Sequence, residues 1–218
     1  MTSKDPKEAV NSYVTDMLSL ERHIKQALDG QISDYRKDYP EVSSELERIQ
    51  SSVEFHISAL EGLSNARGAQ GVAEAIKKAG SALLGLGASA VNIVRNEGAP
   101  KSLRDDFSAA SLATIGYVML HTTALSLGDQ EVATLAQRHL SDWAKVTMDL
   151  QNLIPSVTLR FLRDEGLPVN ESVLGQVSQT IDDVWHQHHT HASATGAGAG
   201  MGSTGRMPGG TTGGMTGR

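Results

Sequence analysis

The chain has 218 residues with 19 Lys+Arg against 25 Asp+Glu, a net charge of -6, so it presents no basic field to a phosphate backbone, which argues against a nucleic-acid partner. Its hydrophobic fraction of 39% suffices for a core, and an aromatic fraction of 4% makes that core mostly aliphatic. The absence of cysteine removes disulfides and thiolate metal sites, and MTSKDPKEAV lacks the apolar stretch of a secretory signal. The Gly- and Ala-rich uncharged run Ala79 to Val94 is 16 residues and falls short of a membrane span. These features describe a cytoplasmic protein with no membrane partner.

Asp5-Pro6 followed by Glu8 predicts a helix start, with proline in the first turn and an acid near the positive end of the dipole. Val10, Val14, Met17, Ile24 and Leu28 then recur at spacings of three and four, and Glu21 occupies an apolar slot among them. Asp34 to Pro40 is turn-prone. A second helix follows, with Val42, Leu46, Ile49, Val53, Leu60 and Leu63 on one seam and His56 in the same line. Residues 65–101, rich in Gly and Ala, read as a long crossover with one or two short helices. Gly85-Leu86-Gly87 lies within it but lacks the strand and spacing of a phosphate loop.

Ser102 is expected to cap a third helix, with Asp105 and Asp106 in its first turn and Leu127 at its end. Its seam is interrupted by Tyr117 or His121. Gly128-Asp129 stops one helix and starts the next, whose seam is Val132, Ala136, His139, Trp143, Val146, Leu150 and Leu153. Trp143 reads as core packing. Pro155 is expected to kink this helix or to open a separate short one through Arg163. Asn170 caps a fifth helix with Val173, Val177, Ile181 and Val184 on one face, ending near Trp185. The expected organisation is one domain over 1–191 and a disordered Gly/Thr/Met-rich tail over 192–218.

Short, long and short connections between four helices describe a ferritin-like four-helix bundle with one long crossover, here with an additional C-terminal helix; the fold class is all-α. The run Leu18-Ser19-Leu20-Glu21-Arg22-His23-Ile24-Lys25-Gln26-Ala27-Leu28 resembles the opening helix of the bacterial YciE/YciF-like ferritin-like proteins. The turn Leu127-Gly128-Asp129-Gln130-Glu131-Val132-Ala133 is similar to that family's junction between the third and fourth helices, and residues 8–165 follow its layout. The resemblance implies a helical bundle, an association with bacterial stress responses, and a di-metal centre with Glu21 among its ligands.

A di-iron centre takes carboxylates from all four helices, because two hard cations must be neutralised and bridged. Phe107 to Leu127 contains no acid, Ser51 and Ser52 stand where the second helix would supply one, and Ser141-Asp142-Trp143 replaces adjacent acids on the fourth. Only Glu21 carries over, so a competent di-iron centre is not expected. What remains is one layer of Glu21, His56, His139 and Tyr117, with His121 and Asp142 as second contributors.

Three readings of that layer stay open: a buried hydrogen-bond network, a single Zn or Fe ion on Glu21, His56 and His139, and haem between the two imidazoles. Haem is the weakest, since no pattern in the sequence implies a cavity of that size. His186, His188, His189 and His191 form a tract that can chelate metal, although composition alone produces such tracts at helix ends. No catalytic triad or paired-carboxylate pattern appears, so no enzymatic reaction is assigned. The expected function is structural or partner-binding in a stress-associated protein, with a metalloprotein as the rival. The apolar face of the fifth helix is expected to cover its own bundle or to pair with a second copy, so a homodimer, or docking of another protein, is the partner reading; Asp182 and Asp183 on that helix argue against a lipid surface.

Overall fold

The computed structural model describes residues 5–68 and 98–196, the last stretch, 186–196, as backbone alone. Most of the expected crossover, including the uncharged run 79–94 and Gly85-Leu86-Gly87, lies outside the described residues, as does the tail from 197. The helices are α1 (Pro6–Tyr35), α2 (Pro40–Ala66), α3 (Ala99–Ser126), α4 (Gln130–Asp164) and α5 (Leu174–Gly196), with a 3-10 turn over Glu171–Val173. No strand occurs among the described residues. The chain divides between Leu174 and Gly175 into two units, the first holding α1 to α4.

α1 starts where the sequence places it: the Asp5 carboxylate accepts from the Lys7 amide at 3.0 Å and Pro6 occupies the first turn. The chain then reverses within residues 36–39, and Ser43 Oγ, at the start of α2, donates to the Ile32 carbonyl at 3.1 Å. At the other short connection Gly128 adopts φ 76°, a left-handed conformation that glycine takes without strain, and Asp129 caps α4 by accepting from the Val132 amide at 3.3 Å.

Three expectations are corrected. α3 begins at Ala99 with Pro100 in its first turn, where a missing N–H costs nothing, so Ser102 is not a cap. It lies inside the helix, buried, accepting from the Tyr35 hydroxyl at 2.7 Å, and Asp105 and Asp106 fall beyond the first turn. Pro155 does not open a separate helix: α4 continues unbroken to Asp164, anchored beyond the proline by buried Val157 and by Arg160, which bonds Glu41 of α2 at 2.7 and 2.8 Å. α5 also runs past Trp185, its backbone remaining helical to Gly196.

Cross-helix bonds fix the directions. Ile32–Ser43 sets α1 against α2, Tyr35–Ser102 and Gln31–Asp106 set α1 against α3, Thr114–Thr147 sets α3 against α4, and Arg48–Asp149 sets α2 against α4, all antiparallel. It follows that α2 and α3 run the same way. Arg67 at the end of α2 bonds Asp129 at 2.5 and 2.9 Å, whereas Gly98 at the start of α3 lies against the Phe161 ring near the end of α4. The connection between α2 and α3 therefore joins opposite ends of an all-helical bundle, the single long crossover that the loop lengths predict. The core is aliphatic: Leu18, Leu28, Leu46, Leu60, Leu103, Leu120 and Leu150 are fully buried.

Candidate functional site

Glu21, His56, Tyr117, His139 and Trp143 are all buried, and they meet midway along the bundle. Each sits on the inward seam of its helix, so hydrophobic periodicity alone delivers them to one layer. Glu21 Oε1 is the hub. It accepts from Tyr117 Oη at 2.7 Å, from Trp143 Nε1 at 2.8 Å and from His56 Nδ1 at 3.1 Å. Three donors on one oxygen form the environment of an ionised carboxylate. The second oxygen, Glu21 Oε2, is buried and has no partner among the described residues.

His56 stands between two acids, with Nε2 facing Asp142 Oδ2 at 3.1 Å on the far side from Glu21. Acceptors at both nitrogens call for hydrogens on both, which is the imidazolium. Burial pulls its pKa down, but Glu21 and then Asp142 outweigh burial and raise it above the ordinary 6.5. Asp142 keeps 45% of its side chain exposed, so His56 connects the buried carboxylate to the surface.

His139 takes the opposite charge state. Its Nδ1 lies 3.0 Å from Tyr117 Oη, and since that hydroxyl donates to Glu21, the imidazole must donate to it. Burial, then the neighbouring His56 charge and Arg138, lower the His139 pKa to about 3, so the ring is neutral with its lone pair on Nε2. The two imidazoles stack with centroids 3.9 Å apart and planes 22° from parallel, a cation lying on a neutral ring. Tyr117 is pushed well above 10 by burial and by Glu21, which keeps its hydroxyl a donor. Phe55, half exposed, meets both imidazoles edge-on, with the Arg138 guanidinium 5.8 Å from its ring centre.

One ligand atom each from Glu21, His56 and His139 lies within 4.8 Å of the others, a spacing suited to one ion. Two of the free donor positions, Glu21 Oε2 and His139 Nε2, are outside the hydrogen-bond network. His56 is committed at both nitrogens, and imidazole lone pairs lie in the ring plane, so nearly parallel stacked rings aim them side by side rather than at one point. A single ion requires His56 to lose a proton and the rings to unstack. A di-metal centre lacks the further carboxylates it needs, since Glu21 is the only acid buried in the layer among the described residues.

His121 does not join the layer: it lies on the α4 side of α3, where Nδ1 bonds the Ala133 carbonyl at 2.8 Å. Asp142 joins from the rim. The side chains of His186, His188, His189 and His191 lie outside the described residues. Two residues escaped the sequence reading. Trp143 serves as a donor to Glu21 as well as packing, a role that its seam position did not reveal. Asp106 shares the seam spacing of Leu103, Ala110 and Ala113, a signal that a helix start at Ser102 hides. It accepts from Gln31 Nε2 at 3.1 Å, its Oδ2 and Gln31 Oε1 are buried without partners among the described residues, and burial raises its pKa to about 7. A cavity of about 30 Å³ adjoins it, lined also by Ile24, Leu28, Trp143 and Leu150.

No family model and no curated protein sequence matches the chain. Among solved structures, a protein from Xanthomonas campestris pv. campestris superposes with a TM-score of 0.57 over 74% of this chain and 99% of its own, at 16% identity. At that identity the likeness extends to the helical fold alone.

Proposed function

We propose that the protein is a ferritin-like bundle in which a hydrogen-bonded carboxylate–imidazole layer has replaced the di-iron ligands, and that it acts through its structure and its partners rather than by redox catalysis. The observation that carries this reading is Glu21 Oε1 accepting three donors while His56 bridges it to Asp142: both nitrogens of His56, one of the three ligands that a metal would need, are already used. A satisfied polar layer of this kind fixes helix register, because sliding any helix by one turn breaks several bonds at once. The proposed bacterial origin, cytoplasmic location and stress association rest on the resemblance at Glu21 and at the Leu127–Ala133 turn.

A second reading has its own support. The unpartnered Glu21 Oε2 and the close approach of the Glu21, His56 and His139 ligand atoms favour one Zn or Fe ion, with a carboxylate and two imidazoles as a donor set suited to a borderline cation. Elemental analysis of untagged protein, purified without a metal column, separates the two. The first reading expects far less than one ion per chain, unchanged by His56→Ala or His139→Ala. One ion per chain, lost in both variants, overturns it and establishes the second.

A further inference from the structure

α3 carries two seams. Leu103, Asp106, Ala110, Ala113, Tyr117, Leu120 and Ala124 make the inner one. On the opposite side Ser108, Leu112, Ile115, Met119, Thr122 and Ser126 recur at alternating spacings of four and three, and every one of them is exposed. Leu112 is 51% exposed, Ile115 58% and Met119 48%, and Val118 and Leu125 flank them at 41% and 50%. No charged residue occurs from Phe107 to Leu127. A helix facing water normally carries charge on its outer side, and α1, α2 and α4 do, with surface ion pairs such as Arg22–Glu61 and Lys145–Asp149. An uncharged apolar stripe on an exposed helix is the signature of a helix-packing surface.

We propose that this face docks a second copy of the chain through an antiparallel α3–α3 pair, its two-fold axis passing near Tyr117. The register comes from the sequence itself. With the axis there, Ser108 falls opposite the partner's Ser126, Leu112 opposite the partner's Thr122, and Ile115 opposite the partner's Met119. Small polar positions meet small polar positions at the two ends, and the bulkiest apolar pair lies beside the axis. Antiparallel heptad seams pair in this alternating way, and a two-fold interface must be self-complementary.

A stable pair hides about 800 Å² per partner. In this register the two α3 helices overlap from Ser108 to Ser126, about 27 Å, which places the pair below that size, among the weaker contacts that form and dissociate with concentration. A charged heterologous partner would find nothing on the stripe to read. The inference is independent of whether the core holds an ion.

Sedimentation velocity of the full-length chain across the micromolar range tests it. The expected result is twice the chain mass, halved by Ile115→Glu or Met119→Lys with helical circular dichroism unchanged and with melting temperature unchanged in samples dilute enough to be monomeric, since both side chains are exposed in the single chain. Because the chain has no cysteine, the register can be read directly: Ile115→Cys chains mixed with Met119→Cys chains form a mixed disulfide faster than either variant alone. Three results overturn the proposal: a monomeric wild type, including one in which Ile115→Glu instead lowers the melting temperature because the face is covered within the chain; a dimer that survives both charged substitutions; or equal cross-linking in mixed and unmixed samples.

Discussion

Tyr117 joins two halves of the central layer through one hydroxyl, which donates to Glu21 and accepts from His139. Tyr117→Phe keeps the ring and its packing but leaves His139 Nδ1–H buried without an acceptor, so urea unfolding is expected to show a loss of about 1–3 kcal/mol; no loss would mean that the layer contributes nothing to stability. Asp106 behaves differently because its environment favours the neutral acid. Its folded pKa, about 7, lies above the usual 3.8, so the folded state holds a proton that the unfolded chain has released. The stability this contributes is full below about pH 4 and lost as pH rises through 7. Asp106→Asn, a neutral isostere, is therefore expected to stabilise the protein by about 1–3 kcal/mol at pH 8 and to leave it unchanged near pH 4. Thermal melts over that interval would show the gain growing with pH, and a constant difference would refute the assignment.

At the scale of elements, the start of α3 shows how backbone and packing act together. Gly98 has φ 77°, and a Cβ there would sit 2.5 Å from Phe161 Cε2. Gly98→Ala therefore meets both a strained backbone and a ring that anchors the last turns of α4. A loss of more than about 2 kcal/mol is expected in chemical denaturation, whereas Gly128→Ala, at φ 76° but with open space around it, should cost about 1 kcal/mol. Similar losses for the two would show that the Phe161 contact carries no energy. The inner seams of α1, α2 and α4 were legible in the sequence because each keeps its three-and-four spacing across a polar interruption. The start of α3 was not, because Ser102 and the two aspartates form a capping pattern as good as the true one at Gly98-Ala99-Pro100. Which residue that cost is clear: Asp106 moved from the seam to the first turn and its burial went unread.

Across the whole bundle, one oxygen of α1 receives donors from α2, α3 and α4. Opening any helix exposes the layer, so the near-ultraviolet circular dichroism of Tyr117 and Trp143 should vanish at the same urea concentration as the far-ultraviolet helical signal. Separate midpoints would show that the layer melts on its own. The directions of the helices were legible from loop lengths, and the membership of the layer from seam counting. The charges within it were not, since they depend on which nitrogen meets which oxygen, and seam spacing is silent on that. Counting placed His56 and His139 as equivalent imidazoles, whereas two carboxylates around one and a tyrosine hydroxyl beside the other make them a cation and a neutral ring.

The bond from Trp143 to Glu21 also gives the molecule an optical probe at its centre. The chain has two tryptophans, and the other, Trp185, is 48% exposed. In a Trp185→Phe chain all indole emission would come from a ring held against the hub carboxylate and 6.2 Å from His56, where a cationic imidazole quenches fluorescence. Proton loss, ion entry or a shift of helix register would each change the brightness or colour of that single fluorophore, with no label attached.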